Sequence, residues 1–122
     1  MSWLQDLPVL VLGLGEGGLA MARWCARHGA QVRVWDSRET APHDAAIEGL
    51  ATRLRGELDP ALAAEVKLVL KSPGLAPHDA RVAPLLEAAA QRGLLAMGEL
   101  GLFTRALADL AYAPQLLAIT GT

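Results

Sequence analysis

The 122 residues contain one cysteine, Cys25, so no internal disulfide framework can form, and a lone thiol fits a reducing compartment. Neither sign of charge dominates: 11 basic and 13 acidic side chains give a formal net charge of −2. That balance gives no reason to expect a nucleic-acid or acidic-membrane partner. Aromatic residues make up only 4%. Trp3, Trp24 and Trp35 come without a basic patch and read as packing residues, not as a base-stacking platform. The longest apolar run, Leu7 to Gly15, is far short of the ~20 residues that cross a bilayer, so no membrane insertion is expected. The opening "MSWLQD" lacks a basic segment followed by an apolar core, so no signal peptide is read and a cytoplasmic location is expected. His28, His43 and His78 are scattered without metal-ligand spacing and read as surface residues. Repeats and low-complexity tracts are missing as well.

What is present is a globular composition, 52% hydrophobic and 20% charged, at the length of one domain. "PVLVLG" (8–13) is a continuous apolar run ending in Gly, the sign of a strand buried on both faces. Further strands are expected over 30–36, 67–72, 94–98 and 115–120. Helices are expected over 18–29, 45–54, 80–93 and 99–110, with Gly29 stopping the first and Pro84 in or near the first turn of the third. Residues 56–66 read as a loop with a short helix. Cys25 falls mid-helix among apolar neighbours and reads as a small core residue. Lys71, before Ser72, could point toward a phosphate, but lysines at strand ends are usually solvated. Strands alternating with helices imply an α/β fold: a Rossmann-like three-layer arrangement around a mainly parallel, five-stranded sheet, as a single domain over 1–122. In such sheets ligands bind beyond the carboxyl ends of the strands, where strand order reverses.

"GLGEGG" places Gly13, Gly15 and Gly18 in a G-x-G-x-x-G pattern. It follows one expected strand and opens a helix, and Asp36 ends the next strand 18 residues after Gly18. That context is what the motif requires. The first glycine permits a tight turn, the second lets a phosphate approach the backbone, and the third lets helix and strand pack closely. Backbone N–H groups at the helix start supply donors and a partial positive charge. The plainer reading is a tight turn with no ligand. A carboxylate aimed at a diphosphate would repel it, so the Glu16 side chain is expected to face away. Asp36 suits hydrogen bonds to a ribose or a base N–H; its plainer role is turn capping. Arg38 suits a flat base or a phosphate, or else solvent. On these residues alone the default ligand is NAD, and the protein an oxidoreductase or redox sensor.

Three later stretches point elsewhere: "VLKSPGLAP" (69–77), "MGELGLF" (97–103) and the final "AITGT". Together with "VLGLGEGGLAMARW" and "WDSRE", in this order and at these distances, they resemble the N-terminal domain of the Mur ligases, nearest to the branch that adds D-glutamate. The resemblance covers nearly the whole chain. It implies that Thr120, Gly121 and Thr122 begin a phosphate loop of the form T-G-T/S-N-G-K-S/T, and that the chain is the first domain of a longer, ATP-dependent, amide-forming enzyme of peptidoglycan synthesis. Such an enzyme activates the carboxylate of UDP-N-acetylmuramoyl-L-alanine as an acyl phosphate, which the amine of D-glutamate attacks. ATP and Mg²⁺ would be handled by the remaining ligase domains in cis, and no catalytic residue or metal ligand is expected in this stretch. The resemblance further implies that Gly13, Leu14, Gly15, Glu16, Gly17 and Gly18 meet the substrate's diphosphate through backbone N–H groups. Asp36 and Ser37 would bond the uracil, Arg38 would lie against it, and Ser72, Pro73 and Gly74 would line the ribose, phosphate or sugar region. Gly17 stands where related sequences often carry Ser or Thr. Gly101 stands where Glu is common, so a looser turn is expected there. The remaining alternative is a non-catalytic assembly module.

Overall fold

A computed structural model of the chain describes residues 4–73, 75, 76, 78–94, 96–98 and 101. The apolar run at the start forms β1 (Pro8–Leu12), followed by α1 (Glu16–Arg27) and β2 (Gln31–Trp35). A 3₁₀ turn (Ala45–Ile47) leads into β3 (Ala51–Leu54), and a second (Pro60–Ala64) into β4 (Leu68–Lys71). Helix α2 (Ala83–Gln91) follows, with Pro84 in its first turn. The second 3₁₀ turn is started by Asp59, whose side chain accepts a hydrogen bond from the Ala61 N–H.

The four described strands form one parallel sheet in the order β3-β2-β1-β4. Successive side chains of β1 serve opposite faces. Val9 and Val11 pack with Leu19, Met21, Ala22 and Cys25 of α1. Leu10 and Leu12 pack on the other face with Ala63, Val82, Leu85 and Ala89. Burial on both faces is why β1 has to be apolar throughout. The chain thus forms three layers, helix on sheet on helix, as expected. Among the described residues no helix is long and apolar enough to cross a membrane.

Two expectations are corrected. The helix expected over 45–54 is a 3₁₀ turn followed by β3. Gly49, at φ +77°, breaks the helical path, and residues 51–54 instead pair with β2, placing Ala51 opposite Val32 and Leu54 opposite Trp35. An open sheet edge outweighed the modest helix propensity of this stretch. The strand expected over 94–98 contracts to one parallel bridge, Met97 to Leu70. Met97 donates its N–H to the Val69 carbonyl at 3.0 Å and accepts from Lys71 at 2.7 Å. It therefore extends the sheet beyond β4 by a single residue. Gly101 is helical, not a looser turn, and a Cβ there would meet the Met97 Cβ at 3.4 Å. The rest of the helix expected over 99–110, and the strand expected over 115–120, lie outside the described residues.

From β1 the chain steps outward to β2 and β3, then returns to place β4 on the other side of β1. Strand order reverses between β1 and β4, so the carboxyl ends of these strands frame a crevice.

Candidate functional site

The glycine turn leaves β1 at this switch point. Gly13 has φ +93°, a conformation that side-chain-bearing residues rarely adopt. Its N–H bonds to the Trp35 carbonyl at 2.7 Å, and a Cβ there would sit 3.0 Å from the Ser72 Cβ. Gly18 is required more strictly: an added Cβ would fall 1.8 Å from the Gly13 carbonyl oxygen. Helix α1 and the turn touch backbone to backbone at this point, which is the close packing expected of the third glycine. Gly15 is different. Its backbone is extended (φ −90°, ψ −165°), and a Cβ would meet nothing within 4 Å. Nothing in the fold demands glycine there.

Gly15 is also the N-cap of α1 and supplies no side-chain cap. The first N–H groups of a helix lack intrahelical partners, so α1 presents uncapped donors and the positive end of its dipole beside the open face of Gly15. Glu16 is exposed in the first turn. Cys25 is fully buried, and burial pushes its thiol up to about 12, which makes it a core residue and not a nucleophile.

Asp36, just past β2, is buried, with 6% exposure. One carboxylate oxygen accepts the Leu14 N–H at 2.8 Å and an Arg38 Nη2 bond at 2.9 Å. The other accepts the Arg38 N–H and Nε, both at 2.9 Å. A carboxylate offers about four lone-pair sites, and these four bonds fill them. Asp36 therefore caps its own turn and ties it to the glycine turn, the plainer of its two anticipated roles. The Arg38 side-chain bonds are the main reason its carboxyl is held well below the usual carboxylate range; the backbone bonds from Arg38 and Leu14 add to this against the opposing cost of burial. Arg38 is not simply solvated: half its side chain is exposed, while its guanidinium grips Asp36 and reaches the Leu14 carbonyl at 3.5 Å.

The fold thus brings the glycine turn, Asp36 and Arg38 together, with Ser72 against Gly13. Ser37 is exposed, and its hydroxyl accepts a bond from Arg81 Nη1 at 2.9 Å. Pro73 is exposed; Gly74, Gly121 and Thr122 lie outside the described residues. Lys71 corrects its expectation: its ammonium is half-buried and donates to the carbonyls of Ser72 (3.3 Å) and Leu75 (2.6 Å), bracing the loop after β4. Among the described residues no His, Cys, Asp and Glu cluster could hold a metal.

The sequence reading missed two arginines. Arg53, in the unexpected strand β3, is largely buried and pairs with Asp44 at 2.8 Å. Arg81 pairs with Asp79 and reaches Ser37 at the rim of a cleft of about 540 Å³ lined by Trp35, Gly56, Leu58 and Pro84. The Trp35 indole closes part of that cleft by bonding to the Gly56 carbonyl at 3.0 Å. The i, i+2 pair Asp79–Arg81 before a helix was a weak local signal; Arg53 had none.

This sheet order and glycine turn define a Rossmann-like α/β domain. The chain belongs to the Mur ligase MurD-like N-terminal domain family, whose model matches residues 8–98. It is 52% identical to UDP-N-acetylmuramoylalanine--D-glutamate ligase of Albidiferax ferrireducens, over 100% of this chain and 26% of that protein. The enzyme of the same name from Ralstonia nicotianae is 54% identical, over 93% of this chain and 24% of its own length. The chain thus spans about a quarter of the length of these curated relatives. Among solved structures, UDP-N-acetylmuramate:L-alanyl-gamma-D-glutamyl-meso-diaminopimelate ligase from Neisseria meningitides aligns with a TM-score of 0.61 at 16% identity, over 81% of this chain and 30% of that one. Shikimate dehydrogenase from Aquifex aeolicus aligns at 0.55 and 15% identity, over 83% and 45%. At these identities the two structures share the fold and nothing finer.

Proposed function

We propose that the chain is the UDP-binding first domain, over 1–122, of a cytoplasmic, ATP-dependent UDP-N-acetylmuramoyl-L-alanine:D-glutamate ligase of peptidoglycan synthesis. The observation that carries the site is the pairing of an open Gly15 with the uncapped start of α1. These offer a diphosphate backbone donors, helix-dipole charge and room to approach. The relatives' names supply the reaction class. In this reading Gly13 to Gly18 hold the diphosphate, Asp36, Ser37 and Arg38 hold the uracil, and Ser72, Pro73 and Gly74 flank the ribose, phosphate or sugar.

The filled carboxylate adds a condition. A base N–H can bond to Asp36 only by displacing an Arg38 donor, because all four acceptor sites are taken. The displaced guanidinium is half-exposed and free to lie against the planar base. Arg38 thus exchanges a carboxylate for a ring face when the nucleotide arrives. ATP, Mg²⁺ and D-glutamate are handled by further domains, with Gly121 and Thr122 at the start of the ATP loop, and the 122-residue chain alone forms no amide.

Amide shifts of the isotope-labelled chain, titrated separately with UDP and with NADH, test this reading. UDP is expected to move residues 13–18 and 36–38, and NADH to move none. Shifts from NADH alone would make the chain a dinucleotide domain and overturn the proposal.

A further inference from the structure

We infer that Arg53 is a positioning residue for the nucleotide-binding loop, with Asp44 holding it in place; this rests on the function proposed above. Residues 36–39 have no strand or helix of their own, so their carbonyls need partners from elsewhere. Two arginines at the end of β3 supply them. Arg53 donates through Nη1 to the Asp36 carbonyl at 3.2 Å, and through Nη2 to the Arg38 carbonyl at 2.6 Å. It also donates to the Leu54 carbonyl. Arg55 Nε donates to the Glu39 carbonyl at 2.8 Å. Three of the four carbonyls in the loop are therefore held by guanidinium groups.

The clamp is itself anchored. Asp44 accepts Arg53 Nε at 2.8 Å on one oxygen; its other oxygen accepts the Ala41 N–H at 3.0 Å and Arg55 Nη2 at 3.3 Å. The Arg53 side chain is only 8% exposed, whereas Ser37 and Arg38 are exposed. The buried cation grips the loop from behind and leaves the two side chains expected to meet the base on the outer side. The loop's spacing from the glycine turn also depends on this grip, because the Asp36 carboxylate that bonds Leu14 hangs from the same backbone. A planar fork with five donors is what such a task needs; an ammonium is a single point of charge and cannot reach the Asp36 and Arg38 carbonyls while pairing with Asp44. Arg53 touches no substrate in this arrangement. It acts by fixing Asp36 to Arg38.

UDP titrations of the wild-type chain, Arg53→Lys and Asp44→Asn, followed by amide shifts residue by residue, test the inference. The expected result is about tenfold weaker UDP binding in each variant. The UDP-induced shifts at 36–38 shrink while those at 13–18 largely persist, because Gly13 and Gly18 are fixed by steric limits that do not involve Arg53 or Asp44. Unchanged affinity in both variants would overturn the inference. So would equal losses at both stretches, or loss of the folded amide spectrum in both variants, since either would make the pair a general support of the fold. A wild-type chain that ignores UDP while showing a folded spectrum would overturn the proposed function instead, and this inference with it.

Discussion

The two sides of the site are held by different physics. The glycine turn is shaped by missing side chains: a Cβ at Gly18 would fall 1.8 Å from the Gly13 carbonyl oxygen, and Gly13 is fixed by its positive φ and by Ser72. The 36–39 loop is shaped by side chains in excess, with Asp36, Arg38, Arg53, Arg55 and Asp44 sharing one network of bonds. Steric constraints of the first kind are all-or-none and indifferent to pH or salt. Charge-assisted bonds of the second kind are graded, and they weaken as their members are neutralised. Under the function proposed above, the rigid wall would receive the diphosphate and the adjustable wall the base.

The comparison breaks first at Gly18. Gly18→Ala places a methyl inside backbone contact distance and is expected to cost about 4 kcal/mol or more, the range of severe core lesions and most of what a small domain has to spare. Loss of the cooperative thermal transition checks it; a fully stable Gly18→Ala would refute the steric account of the turn. Asp36→Asn tests the other wall. It removes a charge that accepts four bonds, and a loss of about 1.5–3 kcal/mol is expected at neutral pH.

The Asp36 effect carries a pH signature. The folded carboxyl titrates below its ordinary value of about 3.9, so in acid the unfolded chain binds its proton first. The stability it contributes is present above that pH and lost as pH falls toward the folded value. Urea melts across this window should show the gap between wild type and Asp36→Asn closing as the solution is acidified. A smaller effect is expected at Arg81. Its side chain is 56% exposed, and Arg81→Gln should leave the urea midpoint close to that of wild type in the same melts.

The difference between the walls also decides what could be read from the chain alone. Gly13, Gly15 and Gly18 announce themselves, because a backbone that tolerates no side chain leaves its mark as glycine at fixed spacing. The apolar runs of β1 and β4, and the periodic faces of α1 and α2, were legible for a similar reason: each follows from local geometry. Strand β3 was not, since "ATRL" suits a helix and becomes a strand only because β2 offers an edge. Arg53 was hidden for the same cause. Its partners Asp36, Arg38 and Asp44 are distant in sequence, and only the crossover between β2 and β3 brings them together. Asp36 was found by spacing, yet the bonds that occupy it were not foreseeable.

Gly15 is the point where the two accounts of the glycine turn part. If the turn exists only to fold, Gly15 is replaceable, because a Cβ there meets nothing within 4 Å. If the turn receives a diphosphate, that Cβ stands where the phosphate must come. The most direct measurement is UDP affinity of Gly15→Ala against wild type, alongside a thermal melt. The expected result is a folded variant that loses only about 0.5–1 kcal/mol through poorer N-capping but binds UDP about tenfold more weakly or worse. A Gly15→Ala chain that binds UDP as tightly as wild type would contradict the central claim.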